Sequence, residues 1–315
     1  AGNGWRKKKR KCRRRACFKG ETMYAIEKEL KILRQFISPK LMDDLKKWKC
    51  YSEDEILAAE KRLHVKLPVP IRDIYRHMAD LLVTSGYLRP LELLHWEGRY
   101  LGFFLSPGED SVVGIQKGKT SGELYMWEEN DPKGISWEYL DNLETACEEG
   151  DEEGKRKAVA AYQKYWKRRN IPFIHAPLNV HKQDQGPWFN QHLEGYGLFL
   201  AIHSIQEWEG MAWHEHTGET TCLFSDFFPA RFSKEYFQNI AERIQDDFKP
   251  LSDHPELMDL DDFPLRMAYV HKDLEALLIL GLEPVCFMLL TKGVAERALL
   301  EKAQEQTGLA FHVGF

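Results

Sequence analysis

The chain lacks the features that would place it at once. It has no apolar run long enough to span a bilayer: the longest, Ala276 to Leu290, is interrupted by Gly281, Glu283 and Pro284, short of the roughly 20 apolar residues a spanning helix needs. No short apolar segment follows the basic N-terminus, so no secretory signal is read there. Cysteine is scarce, six in 315 residues. Cys50, Cys147, Cys222 and Cys286 show no C-x-x-C spacing, which predicts reduced thiols in a cytoplasmic protein and no disulfide framework. No G-x-S-x-G elbow, Walker loop, G-x-G-x-x-G or H-E-x-x-H occurs. The motif-borne hydrolase, nucleotide-binding and zinc-protease chemistries have no foothold, and neither an enzyme nor a cofactor is expected.

What is present is an ordinary globular composition with opposed charges. Hydrophobic residues make up 43% of the chain and aromatics 12%, enough for a large core. The net charge of −5 conceals a contrast. Residues 1–22 hold ten Lys and Arg against Glu21 alone, leaving 34 basic and 48 acidic residues over 23–315, a balance of −14. The chain opens on Ala1 and its first methionine is Met23. Lys19-Gly20-Glu21-Thr22 back-translates to a purine-rich stretch resembling a bacterial ribosome-binding site. Residues 1–22 are therefore expected to be leader sequence or a disordered basic arm, outside the fold. An acidic body repels nucleic acid and attracts cationic partners.

Periodicity predicts an N-terminal helix pair over 24–48, divided at Ser38-Pro39. Ser52-Glu53-Asp54-Glu55 is a capping box, opening a helix to His64. Leu67-Pro68-Val69-Pro70 stops it, and Pro70 suits the first turn of the next helix, with Ile71, Ile74, Tyr75 and Met78 inward. Tyr100 to Leu105, Ser111 to Gln116 and Leu124 to Trp127 predict an antiparallel meander. A helix over Trp137 to Cys147, an acidic boundary or loop over Glu148 to Gly154, and a helix over Lys155 to Arg169 follow.

In the second half, Tyr196 to Ile205, Met211 to His216 and Thr220 to Phe228 read as strands, and Ser233 caps a helix through about Phe248. Strand, helix, strand, helix, strand then run over Leu265 to Val270, Lys272 to Leu280, Pro284 to Leu290, Val294 to Gln306 and Leu309 to Phe315, with Gly281 and Gly308 at helix C-caps. The expected class is α+β: a mostly antiparallel sheet flanked by helices over 23–150, with a C-terminal α/β half over 151–315. That half is either an extension of the same fold or a second domain.

Two constellations bear on function. His214 and His216 on one strand face, with His203 or a carboxylate as third ligand, would hold a divalent metal and give the alternative reading, a metal-dependent enzyme; a polar, solvated strand face accounts for the same residues. Glu97, Glu109, Asp110, Glu123, Glu128, Glu129 and Asp131, with Glu148, Glu149, Asp151, Glu152 and Glu153, form an acidic, aromatic-interleaved surface suited to a basic partner or simply solvated.

The segment 52–75 carries Ile56, Glu60 and Leu63 on one helix, then Leu67-Pro68 and Tyr75 in the next. This pattern resembles the opening of the SUKH superfamily, the Smi/Knr-like proteins, and the resemblance extends over about 50–150. Gly108-Glu109-Asp110 and Gly86 depart from that family's pattern. The resemblance implies a binding protein without an active site, of the bacterial immunity type. Its partner would be a basic toxin domain of nuclease or deaminase class, met through acidic loops, with Ile56, Glu60, Leu63, Leu67, Pro68 and Tyr75 structural. Neither direct nucleic-acid binding by the folded body nor membrane association is expected.

Overall fold

A computed structural model describes residues 25–105, 111–118, 124–128, 135–169, 178–182, 193–212, 220–225, 234–252, 266–281, 287–292 and 297–313. The N-terminal helices are α1 (Glu27–Arg34), α2 (Pro39–Asp44), α3 (Glu53–Leu63), α4 (Val69–His77) and α5 (Ala79–Thr84). Their starts follow from local chemistry. The Ser38 hydroxyl accepts from the Leu41 amide with Pro39 in the first turn of α2. Ser52 and Glu55 form the expected reciprocal capping box on α3, which satisfies amides that have no partner within the helix.

The first sheet runs β1 (Trp96–Glu97), β2 (Tyr100–Leu105), β3 (Ser111–Gln116), β4 (Tyr125–Glu128) and β5 (Leu178–Lys182), in that order. Every pair is antiparallel, as the meander predicts. Gly102 pairs with Gly114, and the register shifts beside them. A Cβ at Gly114 would lie 2.0 Å from the Leu101 carbonyl oxygen, and one at Gly102 would lie 2.2 Å from Val112 Cγ1. The two missing side chains let the strands close at the irregularity. Between β4 and β5, α6 (Ile135–Glu148) and α7 (Glu152–Arg169) form a helical hairpin. The acidic stretch 148–154 supplies the end of α6, a short turn with Gly150 at φ +66°, and the start of α7.

Helix α8 (Leu193–Ala212) corrects the strand expected over Tyr196 to Ile205. Leu198, Leu200, Ala201, Ile202 and Ile205 are all fully buried and only a narrow edge at Phe199 and His203 is half-buried, so the amphipathic period is too weak to read. Its length distinguishes helix from strand. A Cβ at Gly197 would lie 2.4 Å from Ile74 Cδ1, so glycine there permits α8 to approach α4 closely. Met211 and Ala212 end α8 instead of opening a strand, and 213–216 lie outside the described residues.

The second sheet contains β6 (Thr220–Ser225), β7 (Phe248–Pro250), β8 (Arg266–His271), β9 (Ala276–Gly281), β10 (Phe287–Lys292) and β11 (Phe311–Val313). Their order is β11-β6-β10-β9-β8-β7, antiparallel throughout. Helices α9 (Lys234–Ile244) and α10 (Arg297–Thr307) cover one face. The helix expected over Lys272 to Leu280 is instead a turn followed by β9. Ala276 to Leu280 is buried on both faces, Leu277 and Ile279 toward one cluster and Leu278 and Leu280 toward the other, so the two-residue alternation vanishes. Gly281 accordingly ends a strand, whereas Gly308, at φ +71°, follows α10 as expected. The helix after Ser233 stops at Ile244, and Phe248 begins β7.

The α+β class therefore stands, with two antiparallel sheets. A single hydrophobic cluster joins Leu30, Ile74, Phe104 and Ile202 to Val270, Ile279 and Leu290. Helix α8 also packs against α1, α2, α4, α5 and β8. Among the described residues, no helix is long and apolar enough to cross a membrane.

Candidate functional site

The motif residues of 52–75 are structural members of the N-terminal layer. Ile56, Leu63, Leu67 and Tyr75 are buried among the core residues and Pro68 is buried between α3 and α4. Glu60 Oε1 accepts from the Leu67 amide at 2.9 Å and from Arg72 Nη1 at 2.7 Å, which fastens the proline break to both helices. Arg72 and Arg76 also bond to Glu53. The Tyr75 hydroxyl donates to the Arg89 carbonyl at 2.8 Å. Burial and then the hydrogen bond from Lys49 act in opposite directions on Glu55, and with the Ser52 donors the carboxyl is held down at about 2.

That tyrosine leads into a buried polar hub. Glu97 on β1, expected on the acidic surface, is instead buried at 2% exposure, and Arg89 is 4% exposed. Arg89 Nη1 donates to Glu97 Oε1 at 3.2 Å, and the Trp127 indole donates to Oε2 at 3.0 Å. His95 Nε2 lies 3.5 Å from the same carboxylate. Burial alone would raise the Glu97 carboxyl, but His95 and Arg89 hold it below its ordinary value. His95 also stacks on Trp166 with ring centroids 3.9 Å apart, and its Nδ1 lies 3.2 Å from the Tyr162 hydroxyl. The hub therefore ties α7 to the first sheet. Sequence reasoning misses it because its members, from Arg89 to Trp166, share no spacing.

The hairpin held by this hub presents carboxylates outward. Glu138, Asp141, Glu144, Glu149, Asp151, Glu152 and Glu153 are exposed. Leu143, Tyr162 and Trp166 are buried beneath with Leu93, and Gln163 Nε2 donates to the Glu92 carbonyl at 2.9 Å. Asp151 Oδ1 accepts from the Glu153 and Gly154 amides, fixing the turn. Arg156 and Lys157 both pair with Glu153. Several arginines elsewhere are used internally: Arg34 on Asp80 at 2.5 Å, Arg62 on the Leu91 and Leu94 carbonyls, Arg89 on Glu97.

Of the other acidic candidates, Glu128 ends β4, paired in register with Ser111, the residue after Asp110 in sequence. Glu109, Asp110, Glu123, Glu129 and Asp131 lie outside the described residues.

Compared with protein-family models, with curated proteins and with solved structures, the chain matches none.

His203 stands on α8, not on a strand, which removes the basis for placing it beside a strand-borne pair. His214 and His216 lie outside the described residues. The His203 ring stacks between Tyr87, at 5.2 Å and 20°, and Phe199, at 5.9 Å and 15°. The Tyr87 hydroxyl lies 3.2 Å from His203 Nε2 and donates to Glu207 Oε2 at 2.8 Å. Among the described residues, no three His, Cys, Asp or Glu side chains come together as a metal-ligand group.

Proposed function

We propose that the protein is a SUKH-like binding protein of the immunity type, which neutralises a basic toxin domain through an acidic surface. The observation that carries this reading is the α6–α7 hairpin. Its exposed carboxylates stand on a turn fixed by Asp151, above a buried Leu143, Tyr162 and Trp166. Carboxylates grouped on and before a turn fixed by backbone hydrogen bonds lose little entropy on binding. It also speeds capture of a cationic partner and rejects anionic ones. A domain that grips phosphates must itself be basic, and carboxylates set where phosphates would lie can occupy its binding face. The resemblance of 52–75 to the SUKH opening and the −14 balance over 23–315 favour the same reading.

The test is affinity co-purification of the full chain from its native cell at low and then high salt, with mass spectrometry of what is retained. The reading predicts a basic protein in stoichiometric amount, released as salt rises. An acidic or neutral partner, or retention indifferent to salt, would overturn it.

A further inference from the structure

The stack around His203 carries a second chemistry, independent of the partner reading. His203 and Glu207 are four residues apart on α8, so they project from one side of the helix at successive turns. The Tyr87 hydroxyl reaches both, 3.2 Å from Nε2 and 2.8 Å from Oε2. Two ligands each about 2.1 Å from one metal ion, at angles from square to tetrahedral, are themselves about 3.0–3.4 Å apart. The Tyr87 oxygen already stands close to such separations from each of the other two donors.

We propose that Tyr87, His203 and Glu207 form a three-donor site for a transition-metal ion. The donor set is one imidazole nitrogen and two anionic oxygens without a thiolate, which suits ferric, cupric or zinc ions and disfavours cuprous copper.

The surroundings hold the three donors in place. Tyr87 follows Gly86, whose φ is +73°. The Tyr87 amide donates to the Leu82 carbonyl at 2.8 Å and its carbonyl accepts from the Leu105 amide at 3.0 Å. Trp208, next to Glu207, donates through its indole to Ser85 Oγ at 2.9 Å, tying that turn of α8 to the segment that carries Tyr87. The rings of Tyr87 and Phe199 fix the plane of His203. Orienting contacts of this kind raise metal affinity. His203, Tyr87 and Trp208 are half-buried and Glu207 is exposed, so an ion can enter and water can complete its coordination.

Binding replaces the Tyr87–Glu207 hydrogen bond by two metal–oxygen bonds. The phenol proton leaves to solvent; His203, whose Nε2–H faces the Tyr87 oxygen while that hydroxyl is given to Glu207, exchanges its ring proton through solvent to Nδ1 and gives the Nε2 lone pair. No electron is transferred.

The test uses the full chain, stripped by chelation, titrated with ferric nitrilotriacetate and followed by visible absorption. A zinc titration by calorimetry gives the affinity. The site predicts one equivalent of iron with a phenolate-to-iron charge-transfer band. Tyr87→Phe, which retains the ring stack, abolishes the band. Glu207→Gln, at an exposed position, weakens zinc at least about tenfold with an unchanged melting curve. His64→Asn, remote from the trio, changes neither. Absence of the band in the unmodified protein would overturn the site. So would a band that survives Tyr87→Phe, or zinc affinity that is unchanged in Glu207→Gln.

Discussion

Replacing Glu97 by glutamine keeps the shape of the buried hub but removes its negative charge. Arg89, 4% exposed, then loses the carboxylate against its guanidinium. The introduced amide presents N–H toward N–H, or a single carbonyl to two donors. Breaking a buried pair from one side costs about 3–5 kcal/mol, a large part of the roughly 5–15 kcal/mol that holds a typical domain together. With a urea slope of roughly 3 kcal/mol/M, the midpoint falls by about 1–1.7 M.

The double variant Arg89→Met with Glu97→Gln removes the buried cation as well and recovers much of the loss. The dependence on pH has a definite sign. The Glu97 carboxyl is held below its ordinary value in the fold, so its contribution is complete above the ordinary carboxylate range. That contribution disappears as pH falls through the lower folded value. Urea unfolding followed by circular dichroism between neutral and acid pH measures both effects. A Glu97→Gln cost below about 1 kcal/mol, the size found for exposed pairs, or an acid limb identical in the variant, would refute the dry hub.

Three further outcomes rest on the same packing. Gly102→Ala places a Cβ 2.2 Å from Val112 Cγ1 and 3.1 Å from Arg89 Nη1; thermal melting is expected to show a loss of about 1–3 kcal/mol, and an unchanged melt would contradict the close approach. Burial first, and then the Asp80 carboxylate, push the Cys50 thiol up to about 11, so mapping of alkylated peptides at mildly alkaline pH should find it modified at least about a hundredfold more slowly than a free thiol. Asp247 receives Lys302 at 2.6 Å, Lys272 at 2.9 Å and Gln306 at 2.7 Å. Those bonds, Lys302 foremost, hold its carboxyl low. Asp247→Asn is predicted to cost about 1–2 kcal/mol at neutral pH and progressively less toward acid, measurable by urea titration.

Legibility in the sequence tracks the kind of signal each element carries. Capping chemistry is local, so Ser52-Glu55 and the Leu67-Pro68 break are readable residue by residue, as is Gly308 after α10. The meander is readable because glycine and proline punctuate it. Helix α8 and strand β9 are not, for a shared reason. Strand β9 is buried on both faces and α8 over most of its circumference, its wet edge confined to the side of His203 and Glu207, so neither shows its period clearly. The consequence at α8 reaches the site. His203 stands out in the sequence, but a strand places its neighbours two residues apart and directs attention to His214 and His216. On a helix the relevant spacing is four, which leads to Glu207. Tyr87, 116 residues away, enters only through the packing of α8 on α5. The Glu97 hub is illegible for a different reason: its charged members are ordinary surface residues by composition, and only the fold buries them.

The claim that the acidic hairpin is the partner-facing surface is tested most directly by charge reversal. The affinity of the co-purified basic protein would be measured by calorimetry against the unmodified chain and against a Glu144→Lys, Glu149→Lys, Glu152→Lys variant, at two salt concentrations. These three side chains are exposed, so folding should be preserved, and the account predicts at least about tenfold weaker binding with a shallower salt dependence. Equal affinity and equal salt dependence in the two proteins would contradict it.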